Sequence, residues 1–208
     1  MNKTTMRTNV RRDLKDEDSG NYRWTDNEVD RMVDRALREY SRVKPNELKA
    51  TIATTSGSRT VSLSSISSVV AIFAVEFPID KFPRQYQRFT WFAGSVELLG
   101  DNQGDGDNSY VYYGKVHDID ATTWTVDVQH EHIIALGAVA YALLQYGSYA
   151  VNRVNVGGDR STADALKWGR QKLLEFETEL KRLAGKVRTS KLYVPAIPGN
   201  SQSADWGT

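Results

Sequence analysis

The apolar residues of this chain change period twice, and few architectures tolerate that order. Over residues 26–43, Val29, Met32, Val33, Ala36, Leu37, Tyr40 and Val43 fall on one helical stripe. Its opposite face carries Arg31, Arg35, Arg38 and Arg42, and Pro45 stops the run. Over 49–117 the pattern becomes strand-like, with β-branched and aromatic runs broken by Gly, Pro, Asn and Asp. From 128 the helical period returns. This order predicts an α+β fold: a helical bundle, built from an N-terminal helix and a C-terminal helical hairpin, with an inserted small antiparallel β domain and an extended C-terminal tail. The boundaries read as an arm over 1–24, the first helix of the helical domain over 25–48, the β insertion over 49–126, the helical hairpin over 127–185 and the tail over 186–208.

The first helix has a heavily specified start. Thr25 precedes Glu28 by three residues, the capping-box spacing, and Trp24 and Val29 are placed to close a hydrophobic staple over it. Asp26, Glu28 and Asp30 set negative charge at the positive end of the helix dipole. The four residues Trp24, Thr25, Glu28 and Val29 are therefore expected to form a structural corner. Upstream, residues 1–22 read as a polar, charge-alternating arm in which Val10 and Leu14 allow a short helix.

Within the insertion, residues 51–55 and 60–63 flank Ser56-Gly57-Ser58-Arg59 and predict a hairpin. Further strands are expected over 69–77, 88–93, 95–99 and 109–113, forming a small antiparallel sheet or barrel-like sandwich. The helix over 128–151 is rich in Ala and Gly, which allow close backbone approach, and should be the buried centre of the helical layer. Gly157-Gly158 turns into a second helix over 162–184, with Leu166, Leu173, Phe176, Leu180 and Leu183 facing the core and Gly185 as its C-cap.

Chemistry is harder to find. Cysteine is absent, which removes disulfides, thiolate nucleophiles and Cys-ligated metals. In His130-Glu131-His132 the imidazoles are two apart and diverge on a helix, so they read as polar residues at a helix start rather than metal ligands. A calcium-loop register on Asp101-Asn102-Gln103-Gly104-Asp105-Gly106-Asp107 places Tyr112 where the bidentate Glu belongs, and a hairpin loop explains the same residues. Asp118, Asp120 and Asp127 occupy a loop approaching a helix. No nucleophile elbow, phosphate loop or dinucleotide fingerprint occurs. The expectation is a non-enzymatic protein without cofactor or metal. A net charge of +1 argues against a strongly basic nucleic-acid binder, although the arginines of the first helix leave room for a local basic surface. No continuous membrane-length apolar run occurs, and no secretory leader is expected.

One apolar segment lies beyond the helices: Leu192-Tyr193-Val194-Pro195-Ala196-Ile197-Pro198. Disordered ends are depleted in such residues. Extended apolar segments add to sheet edges or grooves of partners, so Leu192, Tyr193, Val194, Pro195, Ile197 and Pro198 read as a docking segment.

The set resembles the head–tail adaptor (connector or head-completion) proteins of tailed bacteriophages. The residues that carry the resemblance are Arg11-Arg12-Asp13-Leu14, then Tyr22-Arg23-Trp24-Thr25-Asp26-Asn27-Glu28 with Ala36. Tyr112-Tyr113-Gly114 with His117, and Asn152-Arg153-Val154-Asn155-Val156-Gly157-Gly158, complete it. The resemblance implies a virion protein of the phage neck, assembled in the host cytoplasm. It further implies a homo-oligomeric, typically dodecameric ring between the portal protein and a downstream neck or tail protein, with DNA only passing through the channel. A C-terminal segment would anchor on the portal or a neighbour. The alternatives are another neck or tail-completion protein, and a DNA-binding module using Arg31, Arg35, Arg38 and Arg42.

Overall fold

The computed structural model describes residues 1–99, 104–150 and 162–187. The chain divides into two compact units, one from Met1–Asn46 and Val116–Arg188, the other around Glu47–Lys115. The first holds every helix of the described residues, and the loop 116–126 belongs to it.

In the helical unit, α1 (Lys3–Leu14) starts where the Asn2 side chain accepts the Thr5 N–H at 2.8 Å and ends at Lys15, whose φ of 56° is left-handed. The short helix that Val10 and Leu14 allow is present in this arm, and it buries Met6 and Val10, four apart, in the core. Leu14 packs at the margin of the same core and Arg11 is buried beside it, so one face of an otherwise polar helix docks. In α2 (Asp26–Val43) the expected stripe is the buried face. A short 3₁₀ turn (Val128–His130) leads into α3 (Glu131–Ala150), and α4 (Thr162–Val187) packs on it.

Glycine decides how closely these helices approach. A Cβ on Gly137 would lie 2.8 Å from the Phe176 ring of α4 and 2.9 Å from the Ala36 Cβ of α2, so three helices meet at that position. A Cβ on Gly169 would stand 3.0 Å from Leu144, and one on Gly147 would run into Leu166. Phe176, Leu180 and Leu183 are buried, with Leu173 packed at the margin. The helix does not end at Gly185 but continues to Val187, so the expected C-cap is an internal position. Glycine is also compatible with a helix interior, at about 1 kcal/mol relative to Ala.

Among the described residues the β unit contains seven strands in two sheets: β1 (Asn46–Ala53), β2 (Thr60–Ser62), β3 (Val69–Glu76), β4 (Tyr86–Gln87), β5 (Phe89–Phe92), β6 (Ser95–Leu98) and β7 (Asn108–Lys115). Their orders are β1-β7-β3-β4 and β2-β6-β5. The expected pairing of the first two strands does not occur. Residues 55–58 do turn, with Ser58 N–H bonded to Thr55 O, but the strands on either side enter different sheets. The turn is held instead by segment 104–107: Gly57 N–H donates to Gly104 O at 2.7 Å and Gly104 N–H to Ser58 O at 2.8 Å. Gly104 is required there, since a Cβ would press on backbone oxygens of Thr55 and Ser58. Likewise β4 and β5 are separated only by Arg88 yet lie in different sheets. Chain segments that switch sheets wrap both around one core, here Ile52, Val61, Leu63, Val75, Phe77, Val96, Leu98, Val111 and Tyr113.

Candidate functional site

Three places concentrate specific geometry. The first is the corner before α2. Thr25 Oγ1 accepts the Glu28 N–H at 3.3 Å while Glu28 Oε2 accepts the Thr25 N–H at 2.8 Å, a complete capping box. The backbone N–H of Thr25 and its hydroxyl hold the Glu28 carboxyl below the usual range. Trp24 and Val29 are both buried in the same cluster. Beneath them lies a feature the sequence concealed. Arg11, only 5 % exposed, donates to Asp16 Oδ2 (2.6 Å), Trp24 O (2.8 Å) and Asp26 Oδ1 (2.8 Å), and its guanidinium stacks 3.7 Å from the Tyr22 ring centroid. Asp16 in turn accepts the N–H groups of Arg23 and Trp24. Arg7 grips Asp30 in bidentate fashion and also reaches Asp26. A hydrogen bond from Arg11, aided by the charge of Arg7, keeps the Asp26 carboxyl low. These charges tie α1, the 16–24 connection and α2 into one piece.

The basic face of α2 is exposed at Arg31, Arg35, Arg38 and Arg42, but it is not a free polycation. Arg31 donates to Gln145 Oε1 at 3.0 Å, Arg35 lies 4.0 Å over the Tyr141 ring, and Arg42 pairs with Glu39 at 2.9 Å. Arg38 borders an open groove with Arg31, Arg35, Tyr141 and Gln145, and the groove also contains Asp30 and Asp34. Asp34 pairs with Lys3 rather than with an α2 arginine.

The second place surrounds Tyr40. His117 and His130 flank its ring, at centroid distances of 5.3 and 5.8 Å. The Tyr40 hydroxyl meets His130 Nδ1 at 2.9 Å, and burial pushes that phenol up. His117 Nε2 lies 3.0 Å from Lys44 O, which can only accept, so Nε2 carries the proton and Nδ1 accepts from Thr125 Oγ1. Burial depresses the His117 imidazole. Lys44 Nζ pairs with Asp127, holding that carboxyl low. His132, by contrast, is exposed, so the two imidazoles of 130–132 part company. Nor do the loop carboxylates converge on one point, for Asp120 caps the turn at Thr122 and Thr123 while Asp127 serves Lys44.

The third is in the β unit. Glu76, 2 % exposed, accepts the Tyr112 hydroxyl at 2.7 Å, and Tyr86 packs edge-on against Tyr112. Burial, together with the Glu76 charge, pushes the Tyr112 phenol up to about 12. On the other sheet, β5 is an end strand among the described residues. Leu99 N–H donates to Arg88 O at 2.9 Å, and β5 pairs Thr90 with Glu97 and Phe92 with Ser95. Alternation then turns the backbone groups of Phe89 and Trp91 away from β6. Trp91 is 42 % exposed and Phe92, before the two-residue turn at Ala93 and Gly94, is 82 % exposed.

Of the Asp101–Asp107 run, residues 101–103 lie outside the described residues. In the remainder Asp105 accepts the Asp107 N–H, the local bond of a tight turn. The tail residues Leu192, Tyr193, Val194, Pro195, Ile197 and Pro198, and the 152–158 motif, also lie outside them.

The architecture thus defines an α+β protein whose helical unit is interrupted by a β unit, with its specific contacts devoted to joining elements. A family model described as SU10 adaptor protein matches residues 1–199, and the chain belongs to that family. This is a phage adaptor family, structural rather than enzymatic, whose members are virion proteins. No curated protein matches the chain. Among the described residues no helix is long and apolar enough to cross a membrane.

Proposed function

We propose that this adaptor assembles into a closed homo-oligomeric ring in the phage neck, joining the portal protein to a downstream neck or tail protein and forming part of the DNA exit channel. The observation that carries the reading is the match over residues 1–199, which runs through both units and reaches the apolar C-terminal segment. A helical unit held by glycine contacts and a buried ion pair suits a protomer that must keep one shape while a single heterologous contact repeats around a closing rotation. The 192–198 segment docks on the portal or on a neighbouring copy, adding binding through a tether. DNA passes without being gripped. Asp30 and Asp34 share the groove with the α2 arginines, and discrete carboxylates there oppose a phosphate backbone.

Native mass spectrometry of the purified chain with and without portal tests this. A closed oligomer that binds portal is the expected result, with a dodecamer as the expected size. A chain that stays monomeric and ignores portal would overturn it.

A further inference from the structure

We propose that the outer edge of β5 is a strand-addition site, and that its occupant is the segment around Leu192, Tyr193 and Val194 of a second copy of this chain. The proposal rests on the ring reading and names the partner of its docking segment.

Exposed sheet edges are templates for pairing, and monomeric proteins guard them with lysine, proline or inward charge. This edge has none of those. Its four residues, Phe89-Thr90-Trp91-Phe92, carry no charge, and among the described residues β6 pairs with it on one side only. Phe89 and Trp91 turn their N–H and C=O groups outward, two residues apart, while Trp91 and Phe92 leave large aromatic surface exposed. Such an edge fits an apolar extended peptide.

The sequence of the tail fits this edge in one register. Two prolines forbid pairing at arbitrary positions, because proline has no N–H to donate. If Leu192 and Val194 turn their backbone groups toward β5, their spacing matches that of Phe89 and Trp91. Pro195 then shares the outward parity of Tyr193, where a missing N–H costs nothing. Pro198 returns to the inward parity and ends the pairing. The opposite register would aim the Pro195 nitrogen at β5 and lose a donor in the middle of the added strand. In the favoured register Leu192 and Val194 share one face, continuing the layer in which Phe89 and Trp91 stand opposite the buried Leu98 and Val96.

The register makes two neighbouring substitutions diverge. Val194→Pro removes an inward N–H, whereas Tyr193→Pro removes an outward one. Both are full-length chains altered only beyond α4. Isotopically labelled Val194→Pro chain, whose own tail cannot pair, is mixed with unlabelled wild type, and amide exchange is read on the labelled Phe89–Phe92 peptide. Exchange there should slow by roughly tenfold or more with wild type or Tyr193→Pro as partner, and stay fast with Val194→Pro as partner. Equal protection with all three partners would overturn the proposal. So would an open edge in copies that native mass spectrometry shows to be assembled, a result that leaves the ring reading standing. Loss of portal binding in Val194→Pro with β5 open in the wild-type assembly would assign the tail to the portal instead. A chain that neither assembles nor binds portal, with β5 open throughout, sinks both readings.

Discussion

Arg11 and Trp91 stand in reversed positions: a charged side chain is buried in the helical unit, and an indole is left 42 % exposed on the β unit. The helical unit satisfies its buried guanidinium with a carboxylate, a backbone carbonyl and a second carboxylate. At the edge of β5 the backbone groups of Phe89 and Trp91 face no strand of the described residues. The Arg11 corner is closed on itself, its polar groups paired within the unit, whereas the β5 edge is left open; elsewhere the helical unit also exposes Trp168 and Leu174.

Removing one member of the buried ion pair should expose the difference most strongly. Arg11→Ala strands Asp16 and should destabilise the helical unit by about 3–5 kcal/mol in chemical denaturation. A loss under about 1 kcal/mol would mean the pair is solvated and the corner less closed than described. Core truncation sharpens the same point. Phe176→Ala should lower protection of α3 and α4 amides by about 3–5 kcal/mol, and Leu98→Ala should do the same for β5 and β6 by about 2–5 kcal/mol. Each effect should stay within its own cluster, since the two cores share no residue. One common loss across both units would erase the distinction.

Gly137→Ala tests close packing. Alanine gains about 1 kcal/mol in helix propensity, but its Cβ meets Phe176 and Ala36 at 2.8 and 2.9 Å. Overpacking of that kind costs about 1–3 kcal/mol, so a net fall in thermal stability is expected, and a rise would show that the helices can part without penalty. Thr25→Ala should cost about 1 kcal/mol through the lost cap, read by the denaturation midpoint.

The smallest effect concerns pH. Folding depresses the His117 imidazole below its ordinary 6.5, so the unfolded chain takes up the proton first. Stability is full above that value and declines as pH falls through it toward the depressed folded value. His117→Gln should flatten this decline in midpoint-versus-pH curves. Unchanged curves would assign the slope to other groups.

Much of the helical unit was legible. The α2 stripe and capping box were readable because local spacing alone determines which side chains share a face and which N–H groups lack partners. The Ala and Gly content of α3 pointed to its central position for the same reason. The short helix of α1 was legible from Val10 and Leu14, but its docking was not: Met6 is one apolar residue in a polar stretch, and Arg11 looks like any surface arginine until Asp16 and Trp24 O surround it. The Tyr40 site likewise depends on residues 73 to 90 positions apart in sequence.

Strand existence was legible for every described strand but the two-residue β4, whereas pairing was not. The residues 51–55 and 60–63 look like neighbours, yet the 104–107 segment takes the turn between them and sends β1 and β2 to different sheets. Proline placement in the tail sets by itself which backbone groups can pair. That β5 ends its sheet among the described residues, with the backbone groups of Phe89 and Trp91 turned away from β6, emerges only with the fold. Long-range pairing is chosen by competition among strands for one core, and no local period records the outcome of that competition.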